Sequence, residues 1–280
     1  SEMCIRDSFG TMAVCDPDEG MHSLFRGMLA EHDIVDLPRT DAAMAELDAF
    51  LETRGPQLAG MLVEPLVQGA GGMLLHDPEV LRRLRTLADR HGLLLIFDEI
   101  FTGFGRTGTM FAFEQAGIKP DIITLSKALT GGTLPLAATV ASQRVFDGFW
   151  SDDPSHALMH GPTFMGNALA CAAANASLDL FETEPRLAQA QAISAALATG
   201  LAPCRELDWV RDVRVLGAIG VVELDGIQDR EALKRRLVEA GVWVRPFGNV
   251  VYLTPALTID GQDLDTLMRA VVAVLRARRP

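Results

Sequence analysis

The chain has 280 residues, of which 49% are hydrophobic, and its formal net charge at pH 7 is −12. This length and composition predict a folded protein with room for two domains, and they exclude a disordered or fibrous chain. The acidic balance argues against nucleic acid as a partner, because proteins that bind nucleic acid usually present a basic surface.

The sequence predicts neither a membrane-spanning segment nor a metal site. The best apolar run, residues 93–97, is far shorter than a membrane span, and the acidic start Ser1-Glu2-Met3 does not resemble a signal peptide. No cysteine pair has C-x-x-C spacing, and no histidine pair completes a zinc pattern. We therefore expect a cytoplasmic protein with free thiols and no metal ion.

In the first two thirds of the chain, predicted strands alternate with helices. Apolar runs predict strands over 58–64, 93–97, 121–126 and 136–142. A glycine-rich loop at 68–72 precedes a helix that starts at Pro78. Strand, helix and strand at this spacing imply parallel strands with helical crossovers, and hence an α/β sheet.

The pattern changes towards the C-terminus. Helices are predicted over 167–181, 187–201, 229–240 and 263–278, and short strands over 213–216, 219–224, 242–245 and 250–254. The strands here follow one another across short turns, which is typical of a mixed α+β domain. We therefore predict a large α/β domain over residues 1–183 and a smaller α+β domain over 184–280.

Polar side chains stand at the ends of the predicted parallel strands. Asp98 and Glu99 follow the strand over 93–97, and Lys127 follows the strand over 121–126. In an open parallel sheet, ligands bind at the carboxyl ends of the strands. Because Asp98 and Lys127 are separated by about one strand–crossover–strand unit, their side chains can meet on one rim of the sheet.

A carboxylate and a lysine on one rim fit two interpretations. The first is a buried salt bridge or a pair of solvated strand ends. The second is pyridoxal-phosphate (PLP) chemistry, in which the lysine forms a Schiff base with the cofactor and the aspartate keeps the pyridine nitrogen protonated. The same lysine, once released, can move a proton as a general base. Spacing alone leaves both interpretations open.

The sequence also contains a G-x-G-x-x-G pattern at 103–108, which suggests a dinucleotide site. Such a site needs its glycines directly after a strand, then a helix, then an acidic residue about 20 positions on at the end of the next strand. Here residues 98–102 intervene, and Asp121 opens its strand instead of closing it. A nicotinamide oxidoreductase is therefore a weak alternative.

Two longer motifs resemble a known family. The stretches D-E-I-F-T-G-F-G-R-T-G (98–108) and L-S-K-A-L-T-G-G (125–132) resemble the class III, fold-type I, PLP-dependent aminotransferases. More narrowly, residues 67–73, 159–178, 213–223 and 243–248 resemble the members that act in biotin biosynthesis. Those members transfer the amino group of S-adenosylmethionine to 8-amino-7-oxononanoate. The resemblance also implies a homodimer with shared active sites.

The resemblance implies roles for individual residues. Lys127 would carry the cofactor, and Asp98 would pair with its pyridine nitrogen. Gly161 would line the substrate site, while Pro162 and Thr163 would reach the cofactor phosphate, usually that of the neighbouring subunit. Without the family, these three residues would be interpreted as an ordinary turn before a helix.

Near the C-terminus, the resemblance implies that Arg245 binds the carboxylate of the keto-acid substrate. Without the family, Arg245 would be an exposed arginine at a strand end. We expect the neighbouring Trp243 and Phe247 to lie in the core.

The first eight residues do not match the family, which usually has a tyrosine that stacks on the cofactor near the position of Cys4. We therefore expect an N-terminal truncation, and little transamination from these 280 residues alone. The alternatives are another class III ω-aminotransferase and an inactive fragment.

Overall fold

The structure, a computed structural model, describes residues 9–14 and 27–277. The expectations placed on residues 1–8, including Cys4, lie outside these ranges. The chain divides into two compact units. The first, called the N-terminal unit, comprises Ser1–Pro65, His76–Phe101 and Phe113–Leu180, and the second, called the C-terminal unit, comprises Leu66–Leu75, Thr102–Ala112 and Phe181–Pro280. The boundary at 183/184 stays our proposal for the domains of the whole protein.

The helices and strands are numbered in chain order. The α-helices are α1 (Phe9–Ala13), α2 (Asp41–Arg54), α3 (Pro78–Arg90), α4 (Gln143–Asp147), α5 (Ala168–Thr183), α6 (Arg186–Leu201), α7 (Arg230–Glu239) and α8 (Gly261–Ala277). The strands are β1 (Gly60–Val63), β2 (Val67–Gln68), β3 (Leu74–Leu75), β4 (Leu94–Asp98), β5 (Ile122–Leu125), β6 (Ala138–Ala141), β7 (Val210–Leu216), β8 (Ile219–Leu224) and β9 (Val250–Leu253).

The sheet of the N-terminal unit has the strand order β1-β4-β5-β6. The pairs β1–β4 and β4–β5 are parallel, as the sequence predicts for strands with a long crossover between them. The pair β5–β6 is antiparallel. Only a single 3₁₀ turn, Lys127–Thr130, and no crossover helix lies between β5 and β6, which allows the antiparallel return. The mainly parallel α/β fold is confirmed.

Helix α3 shows how the sequence sets this architecture. Its N-terminus is capped by Asp77, whose side chain accepts the N–H of Glu79 at 2.7 Å, and Pro78 occupies the first turn. The apolar residues at helical spacing are all buried, namely Val80, Leu81, Leu84, Leu87 and Ala88. After the helix, Gly92 takes φ +68°, a left-handed conformation that glycine adopts readily. The chain then enters β4 at Leu94.

The C-terminal unit is built on an antiparallel sheet with the order β7-β8-β9, which confirms a mixed α+β architecture. The strand predicted over 242–245 was wrong: the chain there is irregular, and only Phe247 makes an isolated bridge to Val250. Trp243 and Phe247 were wrongly expected in the core, since they are 88% and 40% exposed.

An arginine of the glycine motif is held inside the C-terminal unit. The Arg106 guanidinium donates to the carbonyl oxygens of Ala218 at 3.1 Å and Pro255 at 2.7 Å. Burial lowers the pKa of Arg106. The backbones of the two segments are also in contact, because the Ala218 N–H donates to the Arg106 carbonyl at 2.9 Å. Residues 103–108 therefore pack against the β7–β8 turn, and no α-helix follows them as a dinucleotide site would require.

Gly217 in that turn gives a stability prediction. It has φ +53°, and a Cβ there would lie 2.4 Å from the carbonyl carbon of Thr107. We expect Gly217→Ala to lower the free energy of unfolding by about 2–4 kcal/mol, from backbone strain and overpacking. Urea denaturation of the full chain measures it. Gly226→Ala is the control, because no atom lies within 4 Å of its Cβ position; equal losses in the two variants would contradict the prediction.

Among the described residues, no helix is long and apolar enough to cross a membrane. In the same part of the chain, no group of three or more His, Cys, Asp or Glu side chains is placed to hold a metal ion.

Candidate active site

Asp98 is the last residue of β4 and pairs in register with Thr124 of β5. Its carboxylate oxygen Oδ1 accepts the N–H of Ile100 at 2.9 Å. Burial raises the pKa of Asp98 above its usual value, while the Ile100 N–H, the positive charge of Lys127 and the Thr124 hydroxyl act in the opposite direction. The structure therefore places a partly desolvated carboxylate at the carboxyl end of a parallel strand, where a cationic partner would stabilise its charge.

Lys127 lies just beyond the end of the neighbouring strand β5. It is the first residue of the 3₁₀ turn Lys127–Thr130, and its backbone has φ +37°, a left-handed conformation that is uncommon for a residue with a side chain. Lys127 is exposed, and its Nζ stands 5.1 Å from the centroid of the Phe101 ring. Backbone strain of this kind is often found at functional sites.

Buried hydroxyls hold the turn that carries Lys127. The Ser126 hydroxyl, 0% exposed, donates to the Leu136 carbonyl at 2.7 Å. The Thr130 hydroxyl donates to the Leu134 carbonyl at 2.6 Å. These bonds tie both ends of the turn to the segment that returns to β6, and so compensate the strained backbone at Lys127.

The loop before α5 is exposed. Gly161, Pro162 and Thr163 are all at the surface, and a Cβ placed on Gly161 would have no atom within 4 Å. The helix itself is capped further along, where the Asn167 side chain accepts the N–H of Ala170 at 3.0 Å. Among the described residues, no hydrogen bond or ion pair joins residues 161–163 to Asp98 or Lys127. Their role therefore stays a prediction.

Arg245 belongs to the C-terminal unit, where it is exposed in the irregular segment before β9. Within the described part of the chain, its guanidinium has no carboxylate partner. An unpaired exposed arginine is available to bind an anion. Its role also stays a prediction.

Sequence reasoning missed Phe101, whose ring faces Lys127. Phe101 follows Asp98 by three positions, but the chain has left the strand there, so neither strand nor helix periodicity says where its side chain points. The contact depends on the path of the loop after β4, which only the tertiary structure shows.

Comparison with known proteins identifies the family of this chain. The profile of the family described as "Aminotransferase class-III" matches residues 7–275. The chain belongs to the class III aminotransferases. This membership agrees with the lysine and aspartate at the ends of β5 and β4, and it excludes the nicotinamide alternative for residues 103–108.

Two similar relatives are adenosylmethionine-8-amino-7-oxononanoate aminotransferases. The enzyme of Corynebacterium glutamicum is 40% identical over 277 residues, covering 97% of this chain and 66% of the relative. The enzyme of Mycobacterium leprae is 44% identical over 271 residues, covering 96% of this chain and 62% of the relative. The chain thus spans just under two thirds of the length of these relatives.

Solved structures show the same fold. An adenosylmethionine-8-amino-7-oxononanoate aminotransferase from Methanocaldococcus jannaschii matches with a TM-score of 0.89 and 30% identity, covering 98% of this chain and 66% of that one. A PLP-bound amine transaminase from an uncultivated Pseudomonas species matches with a TM-score of 0.84 and 32% identity, covering 96% of this chain and 67% of that one. These likenesses confirm fold type I for the chain.

Proposed function

We propose that the whole protein to which this chain belongs is a PLP-dependent aminotransferase of biotin biosynthesis. The observation that carries the proposal is the placement of Asp98 and Lys127 at the carboxyl ends of neighbouring parallel strands, β4 and β5. The names of the relatives support the same activity. PLP is the cofactor that this pair of side chains fits.

The residues present meet two chemical requirements of PLP. Its aldehyde needs a primary amine, which exposed Lys127 supplies, and its pyridine nitrogen needs a carboxylate, which Asp98 supplies. A phosphate needs converging N–H or hydroxyl donors. We assign the donors to Thr163, which offers an N–H and a hydroxyl, and a contact beside it to Pro162, which has no N–H. Both would act on the cofactor of a partner subunit, because their loop is exposed.

When bound, PLP supplies an electron-accepting ring. Asp98 holds a proton on the ring nitrogen through its negative charge, which its partly desolvated position strengthens. Lys127 anchors the cofactor through Nζ and then moves a proton at the substrate carbon as a general base. The centroid of the Phe101 ring lies 5.1 Å from Lys127 Nζ, and the bond from the Ser126 hydroxyl to Leu136 holds the turn that carries Lys127.

For the substrates, we propose S-adenosylmethionine as amino donor and 8-amino-7-oxononanoate as acceptor, giving 7,8-diaminononanoate. The relatives carry both acceptor and donor in their names. Gly161 would line the substrate site, and Arg245 would bind the keto-acid carboxylate. A different class III ω-aminotransferase is the alternative, because an (S)-enantioselective ω-transaminase from Thermomicrobium roseum is 31% identical with a TM-score of 0.77.

We also propose a cytoplasmic homodimer with shared active sites. The N-terminal unit exposes many large apolar side chains between residues 134 and 169, and Met159 and Phe164 are 92% and 80% exposed. Exposed apolar surface of this extent is typical of an interface. The set includes Leu134, Val140, Phe146, Phe149, Trp150, Leu158, Met165 and Leu169. Sedimentation of the full-length protein tests the dimer.

The proposal as a whole is tested by spectroscopy on the full-length protein. Bound PLP should give a visible absorption band that S-adenosylmethionine abolishes as the amino group is transferred. A band that responds to simple amines but not to S-adenosylmethionine would favour the alternative ω-aminotransferase. A protein that takes up no PLP would refute both.

The role of Arg245 gives a kinetic prediction. We expect Arg245→Ala to weaken the reaction with the keto-acid by about 2–5 kcal/mol, because a desolvated carboxylate would lose its partner. The half-reaction with S-adenosylmethionine should change much less. Single-turnover rates of both half-reactions measure this, with the exposed Arg269→Ala as control. Equal losses in both half-reactions would show that Arg245 is structural.

A further inference from the structure

Glu99, the residue after Asp98, is a buried acid that the proposed chemistry does not use. It is 0% exposed. Its oxygen Oε1 accepts the N–H of Phe113 at 3.0 Å, and its own N–H donates to the Thr124 carbonyl at 3.0 Å. A buried carboxylate carries a large desolvation penalty, so it is tolerated only where hydrogen bonds compensate it.

The bond from Phe113 to Glu99 closes a loop. The chain leaves the sheet after Glu99, runs through residues 100–112 and returns at Phe113, the second residue of the 3₁₀ helix Ala112–Ala116. Glu99 and Phe113 both belong to the N-terminal unit, whereas Thr102–Ala112 belongs to the C-terminal unit. The side chain of Glu99 therefore joins the two ends of this excursion at its base.

The first residues of that loop contribute to the candidate site. Ile100 donates its N–H to Asp98, and the ring of Phe101 faces Nζ of Lys127. Glu99 can influence the site through the backbone that it holds at Phe113 and Thr124.

We propose that Glu99 is a positioning residue for this site. By closing the 100–112 loop at its base, it keeps the Ile100 N–H on Asp98 and the Phe101 ring against Lys127. The part of this inference that concerns PLP rests on the proposed function. The part that concerns the loop does not.

The first experiment measures the loop without cofactor. Hydrogen exchange at the Phe113 amide should become about 10-fold faster or more in Glu99→Ala, because the acceptor of that N–H is lost. Glu99→Gln should stay close to the parent protein, since its amide oxygen can accept the same N–H. Glu114→Ala is the matched control, because Glu114 lies exposed on the same 3₁₀ helix.

The second experiment measures the site in the full-length holoenzyme. Dissociation of PLP should become about 10-fold faster in Glu99→Ala, because the segment from Asp98 to Phe101 would lose its order. In Glu99→Gln the dissociation rate should return to that of the parent protein. A Glu99→Ala protein that melts at lower temperature but retains PLP and its visible spectrum unchanged would overturn the inference. So would a Glu99→Gln protein as defective as Glu99→Ala.

One further variant, together with the exchange measurement, keeps the outcomes distinct. If Glu99→Ala does not fold, Glu99→Asp repeats both measurements with a carboxylate that is one methylene too short to reach Phe113. If the parent protein does not bind PLP at Lys127, the proposed function fails, while exchange at Phe113 still decides whether Glu99 closes the loop.

Discussion

Replacing Lys127 with alanine in the full-length protein should lower kcat by about 10³-fold or more, because we propose that Lys127 both anchors PLP and moves the proton. Within these 280 residues the lysines are at 119, 127 and 234, so two of them can serve as matched controls. Borohydride reduction of the PLP-loaded protein, followed by peptide mapping, should place the pyridoxyl label on Lys127.

The other two lysines serve as controls. Lys119 is exposed after the 3₁₀ helix Ala112–Ala116, and Lys234 forms an ion pair with Glu231 at 2.6 Å on α7. Lys119→Ala and Lys234→Ala should both leave turnover near that of the parent protein. A label on either of them would refute the role of Lys127, as would a Lys127→Ala variant with normal turnover.

Replacing Asp98 with asparagine should lower kcat by about 10²–10³-fold. The change preserves shape and the acceptor for the Ile100 N–H. It removes the charge that we propose holds a proton on the cofactor ring, an interaction worth several kcal/mol in a partly desolvated site. Steady-state kinetics at saturating PLP measure the effect, with the exposed Asp152→Asn as control. Near-normal turnover with bound cofactor would contradict the role.

The same substitution, Asp98→Asn, should stabilise the cofactor-free protein at neutral pH. Burial raises the pKa of Asp98 above the usual 3.8, so ionised Asp98 destabilises the fold once the pH exceeds its folded-state value. The asparagine side chain carries no such charge, so the free energy of unfolding at pH 7 should be higher in the variant. Because aspartic acid and asparagine are both neutral in acid, the gain should disappear as the pH falls towards 3.8. Urea unfolding at neutral and at acidic pH measures it, and a gain that grows in acid would contradict the assignment.

The sequence was most informative where local chemistry decides the structure. The proline and aspartate at the start of α3, the helical spacing of its buried residues and the glycine at its end determine that helix without help from distant residues. The same holds for α7, which Asp229 caps through the N–H of Ala232 at 2.8 Å. Apolar runs likewise located the parallel strands β1, β4 and β5 to within two residues at each end.

The sequence was less informative where the outcome depends on what lies beside a segment in space. Residues 242–245 have the β-branched and aromatic composition of a strand, but they form no ladder, and Trp243 is exposed. Strand β6 has the composition of its neighbours, yet the short turn after β5 makes it antiparallel. In each case a local pattern fits two structures, and the partner segment selects one of them.

The candidate site likewise has features that the sequence predicts and features that only the tertiary structure shows. The sequence by itself determined that Asp98 and Lys127 end successive parallel strands, because strand periodicity and crossover length are local properties. Only the tertiary structure decided that the Phe101 ring faces Lys127, that Glu99 binds the N–H of Phe113, and that Arg106 donates to carbonyl groups more than a hundred positions away. These contacts form when loops close, and loop paths are set by hydrogen bonds and packing between residues distant in sequence, which no periodicity along the chain records.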